Sequence, residues 1–191
     1  MANKTKNIMI VGVGGQGTLL ASRILGNVAI NEGYDVKVSE VHGMSQRGGS
    51  VVTYVKYGDK VHSPIIDRGE ADIILAFELL EAYRAMPFLK PDGKIIVNSQ
   101  KIDPMPVITG LAQYPENIDE KLTKKVDTTV VDALSAAKEA GNIKAVNVVL
   151  IGVLAKSTNI AYEKWIETIK STVPPKFLDV NLKAFEIGYN L

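Results

Sequence analysis

The sequence predicts an α/β fold: a mostly parallel, Rossmann-like sheet flanked by helices, with an inserted β-hairpin. Three observations carry that prediction. Residues 7–13 form an almost unbroken apolar run that breaks into Gly12-Val13-Gly14-Gly15-Gln16-Gly17-Thr18 and then into a helical pattern, reading as strand, tight loop and helix. Further short apolar runs at 71–77 and 94–98 alternate with amphipathic stretches, as strands covered by helices on both faces do. Where the next helix should come, residues 51–57 and 60–66 instead flank a Gly58-Asp59 turn signal, which marks the hairpin.

At 191 residues the chain reads as one domain, 1–191, long enough to bury a single core. With 46% hydrophobic and 23% charged residues it matches an ordinary globular protein. A formal charge of +1 gives no general pull toward nucleic acid or an anionic membrane, so any basic site must be local. The absence of cysteine excludes disulfides, a thiolate nucleophile, iron–sulfur ligation and cysteine zinc sites. The N-terminus has no signal-peptide pattern, which points to the cytoplasm.

Taken in order, residues 7–13 are the first strand, and 18–31 a helix with an apolar stripe of Leu19, Leu20, Ile24, Val28 and Ile30, stopped at Gly33. Residues 34–41 complete a β-α-β unit. Residues 42–50 are too polar and glycine-rich for a core element and form a loop ahead of the hairpin. After the strand at 71–77 come a helix over 78–89, a turn at Pro91-Asp92-Gly93 and a strand over 94–98. Pro104, Pro106 and Pro115 make 100–117 an extended excursion, followed by a strand over 126–131. Asp132 caps a helix that ends at Gly141. Residues 143–155 are apolar almost all round, interrupted mainly by Lys144 and Asn147, and too short to span a bilayer. They form a central helix under the sheet, or one that packs in part on another subunit. Helices over 162–172 and 178–189 close the chain, with Trp165 and Ile169 in the core.

Gly12, Gly14 and Gly17 fit the G-x-G-x-x-G spacing, which lets the backbone turn sharply and aims a helix N-terminus at negative charge. On one reading the amides of Gly14, Gly15, Gln16, Gly17 and Thr18 hold a phosphate or carboxylate and Gln16 adds its side-chain amide; on the other the glycines only allow close packing. Ser45-Gln46-Arg47-Gly48-Gly49 sets a charged planar fork among donors and glycines, suited to gripping an anion, on a loop that should share a sheet rim with the glycine loop. Glu40 stands where a dinucleotide fold keeps its ribose partner, so a stand-alone NAD(P)-binding dehydrogenase or sensor is an alternative. A structural assembly module is a third. The two histidines, His42 and His62, have no metal-ligand spacing, and neither a G-x-S-x-G serine nor a Walker lysine is present.

Val11 to Gly17, then Glu40 to Gly49, Ala71 to Glu78 and the stretch from Leu89 to Asn98 together resemble the gamma-type subunit of 2-oxoacid:ferredoxin oxidoreductases, with the indolepyruvate ferredoxin oxidoreductase beta subunit as the nearest branch. These stretches cover the first half of the chain, and from Gln100 onward the match is loose. The resemblance implies a complex that oxidatively decarboxylates an aryl or other 2-oxoacid, passes electrons to ferredoxin and captures the acyl group on coenzyme A. It implies that thiamine diphosphate, magnesium and 4Fe-4S clusters sit on a larger partner subunit, so this chain binds no cofactor alone, has no catalytic residue of its own and works in a hetero-oligomer. The sequence agrees in lacking cysteine, and Gly58-Asp59-Lys60 is not the Gly-Asp-Gly start of a magnesium–thiamine motif. The glycine loop and the Ser45 to Gly49 loop would then face the partner's cofactor chamber and hold the diphosphate of coenzyme A or the substrate carboxylate.

Overall fold

A computed structural model describes residues 5–42 and 48–191. Its six-stranded sheet has the order β2-β3-β1-β4-β5-β6. The strands are β1 (Lys6–Val13), β2 (Asp35–His42), β3 (Ser50–Gly58), β4 (Ala71–Ala76), β5 (Leu89–Asn98) and β6 (Asp127–Val131). β1, β4, β5 and β6 pair in parallel, while β3 runs against both of its neighbours. The inserted hairpin is therefore present, but its arms are β2 and β3, in register from Asp35 opposite Gly58 to His42 opposite Val51. Residues 60–66 form no strand. Both ladder edges of β3 are already taken by β1 and β2, so a return arm has nowhere to pair.

Along β1 the side chains alternate between two cores. Ile8 and Ile10 face one with α1 (Thr18–Asn31), α5 (Ala133–Ala140), α6 (Val146–Ala155), α7 (Tyr162–Thr172) and α8 (Leu178–Asn190). Met9 and Val11 face the other with α2 (Leu79–Ala85) and α4 (Ile118–Thr123). Both faces being covered explains why the parallel strands read as continuous apolar runs. Each buried Leu or Ile contributes about 1.5–3 kcal/mol of transfer free energy.

Three boundaries differ from the sequence reading. Pro91-Asp92-Gly93 is no turn: it lies within β5, where the pairing with β4 shifts from Ala71–Leu89 to Ile73–Lys94 and the extra residues bulge out. A Cβ on Gly93 would meet Leu89 and the Ala71 carbonyl within 3 Å, so the bulge closes only over glycine. The predicted helix over 78–89 is shorter, with Glu78 as the N-cap of α2 and a 3₁₀ turn at Met86–Phe88 leading directly into β5. The proline-rich excursion holds one helical turn, α3 (Met105–Ile108).

α5 has the cap predicted for it: Asp132 accepts from the Ser135 amide at 3.0 Å and Gly141 ends the helix at φ 109°. The 143–155 run forms a 3₁₀ turn at Ile143–Ala145 and then α6, every residue of which is buried within this chain. α6 thus has no face left for another subunit. It meets α8 backbone to backbone: a Cβ on Gly152 would lie 2.3 Å from the Phe185 carbonyl oxygen, and one on Gly188 2.0 Å from that of Val149. Among the described residues no helix is long and apolar enough to cross a membrane.

Candidate ligand cleft

β1 ends where its neighbours on either side are β3 and β4, and at that point Gly12 to Gly17 turn the chain into α1. The loop is built around Gln16. Its Oε1 accepts from the Val13 amide at 2.7 Å, and its Nε2 donates to the Phe77 carbonyl at 3.0 Å and to Gln100 Oε1 at 3.3 Å. One of the two sequence readings gave that amide to a ligand; here it holds the loop to the ends of β4 and β5. Gly12 lies beneath, with room for no side chain between Gln16 and Phe77. Gly17 adopts φ 83° as the N-cap of α1, and its carbonyl accepts from Asn147 Nδ2 at 3.2 Å. Thr18 is buried and turned toward Gly12. Gly15, at φ 100°, is exposed with open space above it.

The second predicted loop adjoins the first: the Gly14 amide donates to the Gly49 carbonyl at 2.9 Å. Ser50 Oγ ties the base of that loop to buried Glu81 at 2.5 Å, and Arg84 Nη1 donates to the same carboxylate at 2.6 Å. Gly48 is described at φ 80°, whereas Ser45, Gln46 and Arg47 lie outside the described residues.

The glycine loop forms one wall of an open cleft of about 500 Å³. Gly15, Gln16 and Gly17 line it together with Gln100, Leu134, Ile143, Lys144 and Val146. The N-terminus of the 14-residue α1 and the exposed Lys144 both line the cleft and favour an anion there, while two of the loop amides are already taken, that of Gly14 by the Gly49 carbonyl and that of Gln16 by the Val13 carbonyl at 3.2 Å. Lys144 and Gln100 had not been singled out as site residues. Lys144 falls in the 3₁₀ turn ahead of α6, where the apolar run has not yet become a buried helix and its side chain can stay exposed. Asn147, the other interruption, bonds Gly17.

Two buried side chains brace the rim. Asn98 donates to the Phe77 carbonyl at 3.2 Å and accepts from the Ala133 amide at 3.2 Å, fixing the end of β5 to the start of α5. Glu78, 1% exposed, accepts from the amides of Glu81 at 2.9 Å and Ile102 at 3.1 Å and from the Tyr114 hydroxyl. Burial, and then Glu78 itself, hold the Tyr114 hydroxyl far above the usual phenol range. Glu40 does not fit the role of ribose partner. In a dinucleotide fold that residue sits on the strand beside β1, but β3 intervenes here, placing β2 about 10 Å from β1. Among the described residues no three His, Asp or Glu side chains are grouped to hold a metal ion.

With the geometry in place, residues 7–191 match the pyruvate ferredoxin/flavodoxin oxidoreductase family. The chain belongs to that family. The match runs through the second half of the chain, where the quoted motifs thin out. Indolepyruvate oxidoreductase subunit IorB of Thermococcus kodakarensis is 46% identical over 97% of this chain and 95% of its own length. The solved gamma subunit of keto/oxoacid ferredoxin oxidoreductase from Geobacter sulfurreducens aligns with a TM-score of 0.72 at 26% identity, covering 97% of this chain and 96% of that one. A 2-oxoglutarate:ferredoxin oxidoreductase from Magnetococcus marinus shares the fold at a TM-score of 0.71 and 19% identity over 98% of this chain but only 31% of its own, so there the fold is part of a longer polypeptide. As a member of the pyruvate ferredoxin/flavodoxin oxidoreductase family, this chain is an oxidoreductase subunit.

Proposed function

We propose that this chain is the small subunit of an indolepyruvate or aryl-pyruvate:ferredoxin oxidoreductase, and that the cleft between the glycine loop and Lys144 holds the diphosphate of coenzyme A or the carboxylate of the 2-oxoacid. The observation that carries the reading is the cleft itself, lined by the α1 N-terminus at Gly15 and Gly17 and by the exposed Lys144. The relative from Thermococcus kodakarensis supplies the substrate class.

In the overall reaction the bond between the carboxylate and the ketone carbon breaks and carbon dioxide leaves, two electrons pass one at a time to oxidised ferredoxin, and the acyl group joins the coenzyme A sulfur as its thiol proton is released. Thiamine diphosphate supplies that carbon chemistry when bound. The residues present do not fit iron–sulfur clusters, since the chain has no thiolate, and Gly58-Asp59-Lys60 lacks the second glycine of a magnesium–thiamine motif. We therefore place these groups on a larger partner subunit. What this chain contributes is binding and orientation: Gln16 and Asn98 fix the loop on the Phe77 carbonyl, Lys144 neutralises the anion, and Gln100 closes the wall between them.

Steady-state kinetics of the purified complex carrying Lys144→Ala or Arg47→Ala test this. A rise of about tenfold in the KM for either coenzyme A or the 2-oxoacid, in complexes that assemble normally, is expected from loss of one charge contact. Which KM rises identifies the ligand. Unchanged assembly together with two unchanged KM values would remove the reading of the cleft.

A further inference from the structure

Between β5 and α4 the chain leaves the sheet, and its tip carries three large apolar side chains in the open: Met105, Ile108 and Leu111, at 63%, 65% and 85% exposure. Single exposed apolar residues are normal, but three within one short knob are not random scatter. The knob is folded on itself. The Ile108 amide donates to the Pro104 carbonyl at 3.1 Å, those of Leu111 and Ala112 to the Pro106 carbonyl at 2.8 and 3.0 Å, and Gly110 at φ 76° closes the turn.

Both stems are clamped to the first turn of α2. On the outgoing stem the Gln100 carbonyl accepts from the Leu79 amide at 3.1 Å, and the Ile102 amide donates to Glu78. On the returning stem the Tyr114 hydroxyl donates to Glu78 and accepts from the Leu80 amide at 3.2 Å. An apolar tip held in one shape loses little further entropy on binding.

We propose that residues 104–112 are the arm by which this chain docks on the larger subunit of its complex, with Ile108 and Leu111 entering an apolar pocket of that subunit. The inference rests on the reading that a larger subunit completes the cleft. Gln100 connects the two: it lines the cleft and starts the arm, so a partner that covers the open side of the cleft continues onto the arm. A second copy of this chain fits less well. A groove beside the edge strand β2, where Leu19, Ile30 and Val38 stand among Ser22, Arg23 and Asn27, is a different patch from the arm. Insertion there would be head-to-tail, generating a ring or filament rather than a closed pair.

The test is co-expression of this chain with the larger, thiamine-dependent subunit of the same complex, followed by co-purification and a measured Kd. The double variant Ile108→Asp/Leu111→Asp should weaken the Kd at least a hundredfold while the isolated chain keeps its circular dichroism and melting temperature. Ile30→Asp, in the groove, should leave the Kd unchanged. A double variant that binds within threefold of wild type overturns the proposal, as does loss of self-association with unaltered affinity for the larger subunit. Lys144→Ala should bind the larger subunit normally, so a failed cleft and a failed arm give different results. A wild-type chain that does not bind the larger subunit at all overturns the subunit reading and this proposal with it.

Discussion

Asn147 Nδ2 donates to the Gly17 carbonyl at 3.2 Å, and a Cβ built on Gly17 would lie only 2.6 Å from that same nitrogen. One contact thus joins the start of α1 to the first turn of α6, and a side chain at the joint would have to displace the Asn147 amide as well as accept a left-handed backbone. Gly17→Ala meets both this clash and a left-handed backbone at φ 83°, and should destabilise the fold by about 2–4 kcal/mol in urea unfolding. Adding Asn147→Ala should recover part of the loss, because it removes the clash and leaves the backbone strain.

The α6–α8 contact should be less forgiving. Gly152→Ala and Gly188→Ala each push a methyl into a carbonyl of the facing helix, and neither helix can withdraw without opening the core around Phe185. Each should cost more than about 3 kcal/mol, seen as a large fall in melting temperature or as insoluble expression.

Gln16→Glu keeps the size of the side chain but replaces the donating Nε2 with an acceptor facing the Phe77 carbonyl and Gln100 Oε1. A loss of about 1–3 kcal/mol in chemical denaturation is expected for the unmatched polar contact. In the assembled complex the added negative charge should also raise the KM of the anionic ligand.

Stability should fall at alkaline pH. Burial, reinforced by Tyr34 and Asp72, pushes the Tyr57 hydroxyl up to about 12, and Tyr114 is raised as well. The unfolded chain releases these protons near pH 10 while the folded chain keeps them, so between about pH 10 and 12 the unfolded state binds fewer protons and unfolding becomes easier as pH rises. For Tyr57 the loss amounts to about 2–3 kcal/mol across that window and is absent below about pH 9. Urea midpoints at pH 8, 10 and 11 should show it, and Tyr57→Phe should flatten the dependence.

Much of the fold was legible because covered strands and capped helices leave local marks. The apolar run before Gly12, the Asp132 cap and the Gly141 stop each act over a few residues, and the structure has them where the pattern put them. The arms of the hairpin were misplaced because strand pairing is a contest between distant segments. Residues 60–66 have a plausible strand pattern and lose only because β1 and β2 already occupy both edges of β3. Of the residues that line the candidate cleft, the glycine loop is marked in the sequence, while Lys144 and Gln100 are not, since they reach the cleft from chain positions more than eighty residues away. Lys144 and Asn147, the polar residues in the 143–155 apolar run, were the visible trace of that convergence: the first stays exposed in the turn before α6 and the second bonds Gly17.

By itself, then, the sequence determined the α/β class, the strand–glycine–helix start, the absence of thiolate chemistry and the family likeness, because these follow from local spacing and residue type. The tertiary structure decided which strand stands beside β1, what Gln16 binds, and that Lys144 lines the same cleft as the glycine loop. Those are choices among competing long-range partners, settled by which ladder edges and buried polar groups remain unsatisfied once the chain is packed.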